Sequence, residues 1–144
     1  MSIILGQRSL SRLEGVHPDL VRVVKRAAEI AAPINDFTVL EGVRTPARQK
    51  ELYAQGRTKP GPKVTWTLNS NHFVNAVTGY GHAVDLAPYP IDWGNISRFD
   101  RLATIMFAAA DKEGVRIRWG ADWDMDGNPR ERGESDSPHF ELVL

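Results

Sequence analysis

The chain reads as one mixed α+β domain, and three observations carry that reading. Two stretches place apolar residues at helical spacing, about four short runs are β-branched or apolar, and no repeat or compositional break divides the 144 residues. The whole of 1–144 is therefore expected to form a single domain with one core.

His17-Pro18-Asp19 opens the first helix. Proline suits a first helical turn, and an acid is favourable near the positive end of the helix dipole. Leu20, Val23, Val24, Ala27, Ala28 and Ala31 then recur at spacings of three and four and mark one apolar face, which Pro33 ends. "FTVLEGV", residues 37–43, reads as a strand. Thr45-Pro46 has the form of an N-cap followed by a first-turn proline, and "ARQKELYAQG" reads as a short helix closed by Gly56. From Arg57 to about Gly81 no period is visible, and a loop of that length in a small domain is usually functional or mobile. "HAVDLAP" follows as a strand. Ser97 is expected to cap a second long helix with Phe99, Leu102, Ala103, Met106, Ala109 and Ala110 as its buried stripe and Gly114 as its end. "VRIRW" and "HFELVL" are the last strands, separated by an Asp/Gly-rich loop from Gly120 to Pro138.

Composition excludes several classes. The 18 basic and 18 acidic side chains balance, so nothing points to a nucleic-acid partner or an anionic membrane. There is no cysteine, so disulfides and thiolate-bound zinc are ruled out, and any transition-metal site must use histidine and carboxylate. The N-terminal apolar run is too short for a signal peptide, and no run is long enough to cross a bilayer. Synthesis in the cytosol without an export signal is the expectation.

Two stretches hold candidate ligands. "NSNHFVNAVTGYGHAVDL" contains His72, His82 and Asp85, and "ESDSPHFEL" contains Asp136 and His139. A catalytic zinc takes three nitrogen or oxygen ligands and a water, and His72, Asp85 and His139 would supply such a set. The alternative is a surface histidine, a capping acid and a half-buried strand histidine. The helical signature H-E-x-x-H is absent, so spacing alone leaves both readings open. A second candidate is "DWDMDGN", where Asp122, Asp124 and Asp126 alternate before Gly127 and Asn128 like the start of an EF-hand calcium loop. Its twelfth position is Gly133 in place of glutamate, so a simply hydrated acidic turn is the competing reading.

With these residues assembled, the chain resembles the D-Ala-D-Ala carboxypeptidase-type (VanY-like) zinc peptidases. More narrowly, it resembles the L-alanyl-D-glutamate endopeptidases of phage endolysins. Their pattern S-x-H-x-x-G-x-A-x-D, followed much later by D/E-x-x-H, is matched by Ser70, His72, Gly81, Ala83 and Asp85 and then by Asp136 and His139. "EGVRTPARQKELYAQGRT", "DLAPY" and "RWGADW" match around them, and the similarity runs from about Pro18 to Leu144. One departure stands out: His72 and Gly81 enclose eight residues, "FVNAVTGY", where the family usually has two. Aligned with an insertion after His72, His82 falls at a variable position. In an extended segment His82 and Asp85, three apart, also point to opposite faces.

The resemblance implies a Hedgehog/DD-peptidase fold, a small antiparallel sheet with two main helices. It implies Zn2+ on His72, Asp85 and His139, with Asp136 as general base. Arg44 aligns with a family arginine and is expected to clamp a substrate carboxylate or stabilise an oxyanion. Ser70 is expected to support the site or touch substrate. Calcium-responsive loops in phage relatives favour Ca2+ at Asp122, Asp124 and Asp126. The implied function is a monomeric endolysin that cleaves the L-Ala–D-Glu bond of the peptidoglycan stem peptide. It would wait in the host cytoplasm until holin-mediated release. A D-Ala-D-Ala carboxypeptidase or dipeptidase, and a non-catalytic zinc-binding wall-binding module, are the alternatives.

Overall fold

Strand alternation decides which side chains meet the helices and which are left for chemistry. Phe37–Glu41 (β1), Ala83–Pro88 (β2), Ile117–Trp119 (β3) and His139–Leu142 (β4) form one antiparallel sheet in the order β1-β2-β4-β3. Helices span Gln7–Arg12 (α1), Pro18–Ala31 (α2), Pro46–Ala54 (α3) and Ile96–Glu113 (α4). The computed structural model describes residues 7–31, 37–61, 71–122, 125 and 136–143. This is the expected α+β arrangement, with α2 and α4 the dominant helices.

On one face of the sheet Phe37, Val39, Val84, Leu86, Ile117, Trp119 and Phe140 join the buried stripes of α2 and α4 in a single apolar core. Each fully buried aliphatic or aromatic side chain there contributes roughly 1.5–3 kcal/mol relative to exposure. The stripe expected for α4 is buried as read, with Ile105 added. On the opposite face, the register pairs Asp85 with His139 and Arg118 with Glu141. A bulge between Val39 and Glu41 matters here. It reverses the alternation of β1, so that Glu41, which would otherwise follow Phe37 and Val39 into the core, stands opposite Asp85.

The element ends follow local chemistry. Thr45 is extended, and its hydroxyl accepts from the Arg48 N–H as the N-cap of α3. Gly114 closes α4 at φ 66°, a left-handed conformation that suits glycine. Ser97 is not the cap of α4. Asn95 takes that place, and Ser97 sits inside the first turn with its hydroxyl donating to Asn95 Oδ1 at 2.9 Å. Helix α1 was not anticipated, because six residues are too few to show a period. It covers the free edge of β1: Ser9 Oγ accepts from the Val39 N–H at 3.1 Å, and Arg12 Nη1 donates to the Val39 carbonyl at 2.9 Å. Among the described residues no helix is long and apolar enough to cross a membrane.

The residues that separate His72 from Gly81 fold back on themselves. Val74 bridges Gly81, the Asn75 N–H donates to the Tyr80 carbonyl at 2.8 Å, and Asn75 Oδ1 accepts from the Val77 and Thr78 N–H groups. The His82 N–H then donates to the Asn71 carbonyl at 2.8 Å, so the chain enters β2 next to where it left.

Candidate metal centre

The site gathers three side chains from three elements. His72 comes from the loop before β2 and is 1% exposed. Its Nδ1 lies 2.7 Å from the Gly42 carbonyl. A carbonyl only accepts, so Nδ1 carries the hydrogen and Nε2 of the neutral ring presents a lone pair. Glycine at 42 lets the end of α1 pack against the end of β1: a Cβ there would collide with the Arg12 carbonyl and lie 2.9 Å from Val16 Cγ2.

Asp85 projects from β2, and its Oδ1 lies 3.3 Å from His72 Nε2 and 3.4 Å from His139 Nδ1. Its Oδ2 lies 3.3 Å from Arg44 Nη2. Burial pushes the Asp85 carboxyl up, but the facing His139 and His72 imidazoles outweigh it and hold the pKa well below the usual carboxylate range. His139 stands directly opposite on β4, with Nε2 turned to Glu141 Oε1 at 2.8 Å. An ionised carboxylate also only accepts, so Nε2 carries a hydrogen and Nδ1 is the nitrogen left to face Asp85, protonated when no metal is bound and free to donate its lone pair to a cation.

This convergence is the test of whether a metal fits. Asp85 Oδ1 is buried and has no hydrogen bond of sound geometry. One ligand atom each from His72, Asp85 and His139 lies within 4.8 Å of the other two. Three lone pairs aimed at one point repel unless a cation sits among them, and two imidazoles with a carboxylate are the donors a divalent transition metal takes. Without a cation a proton serves instead. Burial opposes the charge on His139, but Asp85 and Glu141 raise its pKa to about 9.

Asp136 lies at the rim, about half exposed, with Oδ2 3.9 Å from His139 Nδ1. Its pKa is raised, first by burial of the carboxyl and then by the negative charge of Asp85. The turn that carries it is tightly held. Asp136 N–H donates to the Gly120 carbonyl at 3.1 Å, Gly120 N–H to the His139 carbonyl at 2.7 Å, and the Trp119 indole to the Ser137 carbonyl at 2.7 Å. A Cβ on Gly120 would collide with the Asp136 carbonyl and stand 2.9 Å from the Cβ atoms of Asp136 and His139.

Arg44 is no surface arginine: its side chain is 10% exposed. Nε and Nη2 grip Glu41 at 2.9 and 2.8 Å, Nη1 donates to Gln49 Oε1 at 2.8 Å, and Nη2 also reaches Asp85. Two carboxylates placed opposite each other by the bulge thus share one guanidinium. His82 stands apart from the cluster, with Nε2 2.7 Å from Thr78 Oγ1 and its ring edge-on to His17. Ser70, Asp124 and Asp126 lie outside the described residues. Asp122 is described, and its peptide N–H donates to the Trp119 carbonyl at 3.0 Å. Sequence reasoning passed over Glu141, Gly42 and Gly120. Strand parity marks Glu141, which is two residues after His139 and so shares its face. The two glycines are set by contacts distant in sequence, and their only trace is their place in "EGVR" and "RWGADW".

A buried His–Asp–His donor set with a carboxylate at its rim, on the open face of a small sheet, has the form of a mononuclear metal-dependent hydrolase. The chain belongs to the family described as phage L-alanyl-D-glutamate peptidase, whose model matches residues 1–143. It is 33% identical to the L-alanyl-D-glutamate peptidase of Escherichia phage T5, over 99% of this chain and 100% of that protein. It is 32% identical to the peptidoglycan L-alanyl-D-glutamate endopeptidase CwlK of Bacillus subtilis (strain 168), over 89% of this chain and 76% of that one. The crystal structure of Serratia marcescens L-Ala D-Glu endopeptidase ChiX superposes with a TM-score of 0.70 at 33% identity, covering 95% of this chain and 87% of the other. The vancomycin-resistance D,D-dipeptidase VanXYg shares the fold at 19% identity and a TM-score of 0.54, over 89% of this chain and 50% of that chain.

Proposed function

We propose that the protein is a zinc-dependent endopeptidase that cuts the L-Ala–D-Glu bond of the peptidoglycan stem peptide. The observation that carries this reading is the convergence of His72 Nε2, His139 Nδ1 and Asp85 Oδ1 on one buried point. Family membership and relatives named for that bond support the substrate.

His72, Asp85 and His139 would hold the zinc ion, which supplies Lewis acidity for the scissile carbonyl and brings a bound water's pKa toward neutrality. Asp136, at the rim beside His139, takes the proton from the attacking water and delivers it to the leaving amine. Its raised pKa suits both halves of that exchange. Arg44 holds Asp85 Oδ2 in place; its Nε and Nη2 are engaged by Glu41 and Asp85 and its Nη1 by Gln49, so contact with a substrate oxyanion would use the second Nη1 N–H. Ser70 is assigned a substrate contact by its place in the motif. A calcium ion on Asp122, Asp124 and Asp126 is a separate part of the proposal, supported by the alternating acids alone. Calcium titration calorimetry that registers no heat removes it.

Peptidoglycan lies outside the cytoplasmic membrane, so a protein made inside the host must be released to reach it, and a phage holin is the proposed route. The test of the reaction is Asp136→Ala beside the parent enzyme on purified peptidoglycan. The variant should keep its metal by elemental analysis and lose hydrolysis. Mass spectrometry of the parent digest should show new amino groups on D-Glu. Loss of terminal D-Ala would replace the reading with a carboxypeptidase, and an inactive, zinc-loaded parent would replace it with a wall-binding module.

A further inference from the structure

We infer that Glu141 is a positioning residue that ties both histidine ligands to one buried carboxylate and so sets how tightly the site holds its metal. Glu141 is 4% exposed, on the site face of β4, and among the described residues its side chain meets His139, Asn71 and Arg118. Oε1 lies 2.8 Å from His139 Nε2. Oε2 accepts from Asn71 Nδ2 at 2.8 Å and from Arg118 Nη2 at 2.6 Å. Asn71 immediately precedes His72, so a single carboxylate reaches one ligand directly and the backbone of the other through its neighbour. The Arg118 contact fixes the carboxylate across the β3–β4 pair, where register places the two residues opposite each other.

The chemistry follows from the direction of these bonds. Acceptance at Oε1 keeps the hydrogen of His139 on Nε2 and turns Nδ1 inward. A carboxylate in this position makes the ligating nitrogen a better donor than a neutral acceptor would, because it stabilises the positive charge the ring acquires on binding a cation. The Asn71 bond holds the loop entrance of His72 against β4, which limits how far the two imidazoles can drift apart. The Asn71 carbonyl is meanwhile fixed by the His82 N–H, so the tie has a firm base.

The inference rests on the metal-dependent reading, and the experiment separates the two. Zinc affinity is measured by competition with a chromophoric chelator for the parent, Glu141→Gln, Asn71→Ala and the double variant. Glu141→Gln preserves shape and an acceptor, and it should lose affinity on the order of 10–100-fold. Asn71→Ala removes an exposed side chain that touches no ligand, yet it should also weaken zinc binding, and add little in the Glu141→Gln background. The visible spectrum of the Co2+-loaded protein should shift in Glu141→Gln, a change that a merely structural role would not produce. Parent-like zinc affinity in both single variants overturns the inference, as do losses that simply add. If Glu141→Gln does not fold, a parent-like Asn71→Ala alone overturns it. A parent protein that binds no zinc overturns the metal reading instead.

Discussion

At His72 a backbone carbonyl selects the ring nitrogen that faces the cluster, and at His82 a threonine hydroxyl occupies the ring outside it. The two histidines are therefore separable by experiment. His72→Ala should be purified without metal and without activity, whereas His82→Ala should keep its zinc by elemental analysis; metal loss in His82→Ala would contradict the assignment. His139 also carries a pH signature. Burial works against its charge, but Asp85 and Glu141 lift its pKa from 6.5 to about 9 in the metal-free protein. A group whose folded pKa lies above its unfolded one adds stability that is complete below the unfolded value and fades as pH climbs through the folded value. The chelator-treated protein should therefore lose melting temperature between pH 6.5 and about 9. Zinc must displace the same proton, so binding near neutrality should release roughly one proton. Calorimetry in buffers of different ionisation enthalpy measures that release, and buffer-independent heats would refute it.

Among the elements, the bulge in β1 and the turn before β4 do most to place the site, and they differ in how far sequence reveals them. Helices α2, α3 and α4 were legible because their apolar spacing, the Thr45 cap and Gly114 are local signals. The pairing of Asp85 with His139 was half legible: both lie on strand-like runs, but register is a tertiary property. The bulge that brings Glu41 and Arg44 to Asp85 was not legible, since "FTVLEGV" reads as an unbroken strand. The six-residue α1 and the Asn95 cap were missed because short helices and caps depend on their neighbours. Gly120→Ala shows how much the turn before β4 depends on close approach. The added Cβ meets the Asp136 carbonyl, so overpacking should cost about 1–3 kcal/mol in denaturant unfolding. Hydrolysis should fall further than stability, because Asp136 and His139 both hang from that turn. At the other side of the site, Thr45→Ala should destabilise by about 1 kcal/mol through loss of the α3 cap. Unchanged unfolding midpoints would argue against either account.

Taken as a whole, the molecule divides its labour by sheet face. The apolar face is anchored on α2 and α4, and Met106, fully buried in α4, belongs to that core layer, whereas Asp85 and His139 lie on the opposite face of the sheet. Met106→Ala should cost about 2–5 kcal/mol, yet the folded fraction should bind zinc as the parent does. A variant that folds but has lost zinc affinity would show the two faces to be coupled.

The closed excursion between His72 and Gly81 carries one more consequence. Because Val74 meets Gly81 and His82 returns to Asn71, the interval between ligands along the chain is decoupled from their separation in space. Searches that fix the interval would pass over such chains, whereas searches that allow a loop of any length between the motif's two halves would recover them. The same junction is a natural port for grafting: a foreign peptide spliced at Val77, 93% exposed, would be displayed on the surface while the bonds that close the excursion keep His72 next to Asp85.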